Sequence, residues 1–192
     1  MQRSDIIQAA AQIFRQKGYH GTSMQDIADA VHLQKASLYH HISGKQEILV
    51  DILDRALDLL IEDIETVAKS DIKPEEKVLQ AMQAYVGRLT EDTDLAAVLM
   101  QEHRSLADDL QDAHIARRDR LESLWRQIIK EGIKSGDFRH TDEVIATFAL
   151  LGVLNWMITW YQPGGRLSAQ EIANQFGDIF LNGLWKGKVS TS

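Results

Sequence analysis

The chain has 192 residues, 44% of them hydrophobic and 26% charged, with a net charge of −7. That length buries a core and holds one or two domains, and the composition excludes a disordered chain and one that coats nucleic acid along its whole length. The absence of cysteine excludes disulfides and thiolate metal sites. Met1-Gln2-Arg3-Ser4-Asp5 lacks the apolar core of a secretory signal, so a cytoplasmic location is expected.

Helical periodicity runs through the chain, and Pro74 and Pro163 are the only prolines that could interrupt it. A first helix is predicted from Ser4 to Lys17, with Ile6, Ile7, Ala10, Ile13 and Phe14 on one face and Gly18 as its stop. Ser23-Met24-Gln25-Asp26 reads as a capping box that opens a short helix with Met24, Ile27, Ala28 and Val31 inward. After a break at His32-Leu33-Gln34, another short helix is expected from Lys35 to Ile42. Ser43-Gly44-Lys45-Gln46 reads as a second capping box, starting a long helix to Lys69. Pro74 fits the first turn of the next helix, to about residue 90. Further helices are expected at about 94–107, 109–135, 141–161 and 168–185. The fold class is therefore all-α, with about nine helices. Val144 to Tyr161 carries no charge and approaches the roughly 20 residues of a membrane span. Thr147, Asn155, Thr159 and the absence of a basic flank favour a buried helix instead, so no membrane partner is expected.

Charge is unevenly placed. Residues 1–47 hold Arg3, Arg15, Lys17, Lys35 and Lys45 against Asp5, Asp26, Asp29 and Glu47, so the acidic excess lies in the remainder. Such a molecule presents one end to a polyanion and turns its bulk away. Two short helices joined by a tight turn and braced by a preceding helix form a helix-turn-helix, whose second helix enters the major groove. Leu38 and Ile42, four apart, face inward, leaving Lys35, Ala36, Ser37, Tyr39 and His40 to point outward. Small residues at 36 and 37 permit close approach, and Tyr39 offers a hydroxyl and a ring for a thymine methyl. Lys45 stands at a helix N-terminus that favours phosphate, and Thr22 or Ser23 holds the equivalent place on the earlier helix. His40 and His41 diverge by about 100° on a helix, so no metal site is expected there.

The run Gly18-Tyr19-His20-Gly21-Thr22-Ser23-Met24-Gln25-Asp26-Ile27-Ala28, with Leu38-Tyr39-His40-His41-Ile42-Ser43-Gly44-Lys45, resembles the DNA-binding domain of TetR-family repressors. The resemblance covers about residues 4–50. It implies base contacts from Lys35, Ala36, Ser37 and Tyr39 and phosphate contacts from Thr22, His40, His41 and Lys45. Gln34 departs from the family's usual serine or threonine cap. The implied division is a helix-turn-helix domain at 1–47 and a ligand-binding and dimerisation domain at 48–192. The implied partners are a palindromic double-stranded operator, a second copy of the chain and a small-molecule effector.

The remainder fits that division. The helices at about 141–185 are apolar enough to pack on their own core and on a partner, as in a four-helix dimer interface. Expected pocket residues are Met82, Tyr85, Met100, His103, Arg117, Arg118, Trp125, Phe148 and Trp156, with Arg117-Arg118-Asp119-Arg120 as a positive cluster for an anionic group. Plain core and a solvated helix face are the alternatives for these residues. Glu102 to Tyr161, with Arg117-Arg118-Asp119, Glu131-Gly132-Ile133, Gly136-Asp137-Phe138 and Asn155-Trp156 to Trp160-Tyr161, is similar to the TetR branch that senses acyl-CoA thioesters in fatty-acid or steroid breakdown. That resemblance implies an apolar acyl group in a tunnel with arginines near its polar head. The long helix from Lys45 is the natural lever between the two parts. Glu102, His103 and His114 are the residue types an enzyme would use, but no spacing supports catalysis, and neither enzymatic activity nor a cofactor is expected.

Overall fold

The computed structural model describes residues 2–183; Leu184 and the predicted last turn of the final helix lie outside them. Nine α-helices run in order: α1 Arg3–Lys17, α2 Met24–Ala30, α3 Lys35–Leu38, α4 Lys45–Lys69, α5 Pro74–Glu91, α6 Thr93–Gln101, α7 Asp108–Ser135, α8 Glu143–Trp156 and α9 Ala169–Asn182. Single 3-10 turns follow α6 (His103–Ser105) and α8 (Met157–Thr159). The described residues contain no strand and no helix long and apolar enough to cross a membrane.

Local chemistry accounts for most boundaries. Ser23 and Ser168 each accept from the amide three residues on, while Asp26 and Glu171 reach back to the serine amides. Gly136 ends α7 in the left-handed conformation that favours glycine, at φ 84°. Several predicted boundaries shift, among them the end of α8, which stops at Trp156 rather than about residue 161 and passes into a 3-10 turn. The capping box before α4 is offset by one residue, because Gly44 is the N-cap and Glu47, rather than Gln46, accepts from the Ser43 amide at 2.7 Å. α3 stops at Leu38 instead of Ile42, and Gln34 supplies no side-chain cap to it. α6 stops at Gln101, where Glu102 turns the backbone into the 3-10 turn.

One continuous core joins the two ends of the molecule. In the N-terminal head it is built from Ile6, Ala10, Phe14, Ile27, Leu38 and Ile42, and it passes through Ile48 and Ile52 of α4. In the body it continues through Ile64, Val78, Tyr85, Trp125, Ile128 and Leu154. α4 packs along α5 and α7, α9 lies on α5, and α1 rests against α6. Gly177 lies in the α9–α5 contact, where a Cβ would stand 2.7 Å from Leu79 Cδ1 and push that side-chain end aside. That glycine therefore serves packing within the subunit.

Candidate nucleic-acid interface and effector cavity

Leu38 and Ile42 are buried and anchor α3, which turns its other side outward. Lys35, Ala36, Tyr39, His40 and His41 are exposed and Ser37 is half-buried, so six of the nine predicted DNA contacts reach solvent on α3 and the turn after it. Tyr39 leaves 47% of its surface in solvent, which the head's own packing does not explain. The other three are occupied with the fold. Ser23 is exposed, but its hydroxyl donates to Asp26 as part of the cap.

Thr22 is buried, its hydroxyl donating to the Gly18 carbonyl at 2.8 Å. The Lys45 ammonium turns inward too, donating to the Tyr19 and Thr22 carbonyls at 2.7 Å each and sitting 4.3 Å above the Tyr19 ring. Both side chains thus have partners within the fold: a loop that bends from α1 into α2 leaves carbonyls without helical partners, and Thr22 and Lys45 satisfy them. The backbone amide end of α4 and the third N–H of the Lys45 ammonium stay open to a phosphate here.

Arg3 is a residue the sequence reading did not single out. It pairs with Glu47 and with Asp51 at 2.6 Å, and donates to the His41 carbonyl at 3.1 Å. It thereby ties the turn after α3 to α1 and α4. Hydrogen bonds from the Ser43 hydroxyl and amide, then Arg3, hold the Glu47 carboxyl down at about 2.

In the body, α4, α5, α6, α7 and α8 line a cavity of about 570 Å³ that opens to solvent beside Phe148 and Trp156. Tyr85, Met100, His103, Arg118, Phe148 and Trp156 line it, six of the nine residues expected to do so. Met82 instead faces α9 and a separate groove. Arg117 points to α4, paired with Asp54 at 3.1 Å and with Asp58. The 100° step of a helix separates it from Arg118. Trp125 is fully buried behind the wall, edge-on to Tyr85 with ring centres 5.9 Å apart.

Asn155, not singled out as a pocket residue, lines the cavity and accepts from the Tyr85 hydroxyl at 2.6 Å. Burial pushes the Tyr85 hydroxyl's pKa up, so it stays a donor. His103 lies stacked against His114, ring centres 6.0 Å apart. Burial, then the Arg118 charge, lowers the His114 imidazole to about 4, so both of its nitrogens sit uncharged and without a protein partner among the described residues.

The segment that walls the cavity continues directly into the DNA-reading end. His103 lines the cavity, while the adjacent Glu102 accepts from the Tyr19 amide at 3.2 Å. Gln46 of α4 donates to the Ser105 carbonyl at 2.8 Å and accepts from the Ala107 amide at 3.2 Å. Arg15 of α1 holds Asp94 of α6 at 2.9 Å. These partners stand 59 to 83 residues apart, so no local sequence signal pairs them.

On the outer side, α8 and α9 leave Ile145, Val153 and Ile179 each at least 44% exposed, and Phe148 and Trp156 at the cavity mouth are exposed beside them. A contiguous apolar face of this kind is rare on a monomer.

A helix-turn-helix head with an open recognition face, continuous with a helical body that holds a small-molecule-sized cavity, defines a ligand-responsive DNA-binding protein. Residues 6–52 match the family of bacterial regulatory proteins named tetR, and residues 71–184 match the tetracyclin repressor-like C-terminal domain. The chain is 28% identical to the transcriptional repressor KstR2 of Mycobacterium tuberculosis, over 97% of this chain and 94% of that one. The solved structure of PfmR from Thermus thermophilus, a TetR family transcriptional regulator, superposes with a TM-score of 0.89 at 38% identity, covering 94% of this chain and 99% of that one. AibR, solved with isovaleryl coenzyme A and operator DNA, superposes with a TM-score of 0.86 at 28% identity, covering 93% and 98%. The chain belongs to the TetR family and is a DNA-binding transcriptional regulator rather than an enzyme.

Proposed function

We propose that the chain is a homodimeric repressor that leaves a palindromic operator when an acyl-CoA thioester enters the cavity between α4, α5, α6, α7 and α8. One observation carries this reading: the cavity residue His103 adjoins Glu102, which holds the head through the Tyr19 amide. A ligand that displaces the α6 end and its 3-10 turn acts on the head through that bond and through Gln46. Its leverage equals its differential affinity for the two head positions, of order 1–3 kcal/mol in such couplings. The apolar Phe148, Leu151 and Trp156 suit an acyl group, and Arg118 on α7 suits the anionic part of a coenzyme A. AibR, with isovaleryl coenzyme A and operator DNA in one crystal, supports this class of effector.

Lys35, Ala36, Ser37, Tyr39, His40 and His41 are the DNA-reading residues in this proposal, and α8 with α9 is the dimer face. The functional boundary falls at about residues 47 and 48, in the first turns of α4, so head and body share one rigid helix. The protein works in the cytoplasm, where its DNA and its effector are.

Sequencing of genomic fragments captured by the purified protein tests the DNA reading. A palindrome enriched over a Tyr39→Ala control supports it, and no enrichment overturns it. Titration of the captured operator complex with acyl-CoAs of graded length tests the effector: release by at least one is expected, and release by none refutes it.

A further inference from the structure

We infer that operator binding takes up protons: His40 and His41 bring charge to the DNA backbone only while their imidazoles are protonated, so the operator is held more tightly as the pH falls. This rests on the DNA-reading face proposed above. The fixed cations of the head carry the argument, because most are already engaged. Residues 1–47 hold five lysines and arginines. Arg3 pairs with Glu47 and Asp51, Arg15 with Asp94 of the body, and Lys17 with Asp26. Lys45 gives two of its three N–H groups to the Tyr19 and Thr22 carbonyls. That leaves Lys35, exposed and without a side-chain partner among the described residues.

A DNA duplex carries one phosphate charge per roughly 1.7 Å of its axis, so one unengaged lysine is a sparse match for it. Histidines supply the other groups on this side that can become cations. His40 and His41 are exposed in the turn from α3 to α4, and neither ring has a hydrogen-bond or ion-pair partner among the described residues. His32 is exposed in the turn before α3. The carboxylates on the surrounding elements already have partners: Asp5 accepts from the Gln2 amide, Asp26 from Ser23 and Lys17, and Asp29 from Gln25. Glu47 and Asp51 hold Arg3, which itself donates to the His41 carbonyl and, with Lys35, opposes a further positive charge in the free protein. Phosphates laid against the turn reverse that balance, because a nearby opposite charge favours the protonated imidazole. The complex then binds more protons than its separate parts. Affinity therefore rises as the pH falls through the range in which histidine gains charge, and is lost as the pH rises.

The test is fluorescence anisotropy of the full-length protein on the captured operator at pH 8, 7 and 6, each across graded salt. All three lie above the value of about 4 at which His114 takes its proton. The parent is expected to bind about tenfold or more tighter at pH 6 than at pH 8, with a log–log salt slope steeper by about 0.9 for each imidazole newly charged against a phosphate. A His40→Gln, His41→Gln double variant keeps side-chain donors without a titratable charge, and its pH dependence should fall below about threefold with a constant slope. A His40→Lys, His41→Lys double variant should bind at pH 8 as tightly as the parent does at pH 6, which reads the charge even where the glutamine variant binds too weakly to measure. His140→Gln, exposed between α7 and α8, should follow the parent. Equal parental affinity at all three pH values, or the parent's pH dependence surviving in either double variant, overturns the inference and leaves the operator reading standing. Failure to capture any palindrome over the Tyr39→Ala control overturns both.

Discussion

Lys45→Met separates two roles for one lysine. The ammonium satisfies two carbonyls of the loop between α1 and α2 and covers the Tyr19 ring. Charge-assisted hydrogen bonds contribute about 1.5–3 kcal/mol each and a cation over an aromatic ring about 0.5–1 kcal/mol. Lys45 is half-buried, so solvent screens roughly half of the summed contribution, which leaves about 2–4 kcal/mol for the substitution. Methionine keeps the apolar stem, so packing loss adds little. In a chain of this size the melting midpoint should fall by roughly 5–12 °C.

Operator affinity should weaken with it, because the loop positions α2 and hence α3. The log–log dependence of affinity on salt should keep its slope, since no phosphate contact is lost. Circular dichroism melts and fluorescence anisotropy at graded salt read both quantities. A melting midpoint within about 1 °C of the parent, with a slope shallower by about one unit per subunit, would make Lys45 a phosphate ligand and refute the reasoning.

Three other substitutions address the remaining links. Glu102→Ala removes the acceptor for the Tyr19 amide, so the ratio of operator affinities without and with effector should collapse to under about threefold while effector affinity stays; an unchanged ratio would place the coupling elsewhere. His114 is held at about 4 against an ordinary 6.5, so the unfolded chain takes up a proton in that window that the folded chain refuses. Stability is therefore full above pH 6.5 and falls as the pH drops toward 4. His114→Phe should flatten that part of the denaturation profile and raise stability at neutral pH by about 1 kcal/mol, because two unpartnered nitrogens leave the core; a profile parallel to the parent's would contradict this. His32 turns between α2 and α3 at φ 56°, where a side chain is strained. His32→Gly should gain about 0.5–1 kcal/mol in urea denaturation with unaltered operator sequence preference, and a net loss would mean that the imidazole makes a compensating contact.

What the sequence discloses, and what it withholds, follows the range of the forces involved. Ser23 with Asp26, Ser168 with Glu171, and Gly136 act within a few residues, and their caps are legible without any knowledge of the fold. The buried stripe of α4 is legible for the same reason, because Ile48, Leu49, Ile52, Leu53 and Ala56 repeat with the helix. The cavity is legible only as a shortlist. Periodicity shows that a residue is apolar and inward, but not whether it faces this cavity, as Tyr85 does, a different groove, as Met82 does, or another side chain, as Trp125 does. Arg117 and Arg118 have the same chemistry in sequence, and only the packing of α7 on α4 sends one to Asp54 and the other to the cavity.

The illegible boundaries are the informative ones. Nothing local stops α6 at Gln101, because the sequence through Glu102 and His103 to Arg104 suits a helix as well as what precedes it. It stops because the Glu102 carboxylate, which a continuing helix would leave in solvent, is bonded to the Tyr19 amide and to the Ser105 hydroxyl at 3.1 Å. α3 also ends before its predicted bound, and Arg3 takes the His41 carbonyl in the turn that follows. At the α6 end local preference and tertiary pairing conflict, beside the cavity. Conflicts of that kind concentrate where function constrains a chain. A helix held short by one long-range bond can also lengthen when that bond is exchanged, which gives the α6 end two nearby states for an effector to choose between. Hydrogen exchange at the amides of residues 102–106 tests this directly: Glu102→Ala should slow it as α6 extends, and faster exchange would show that the turn frays instead.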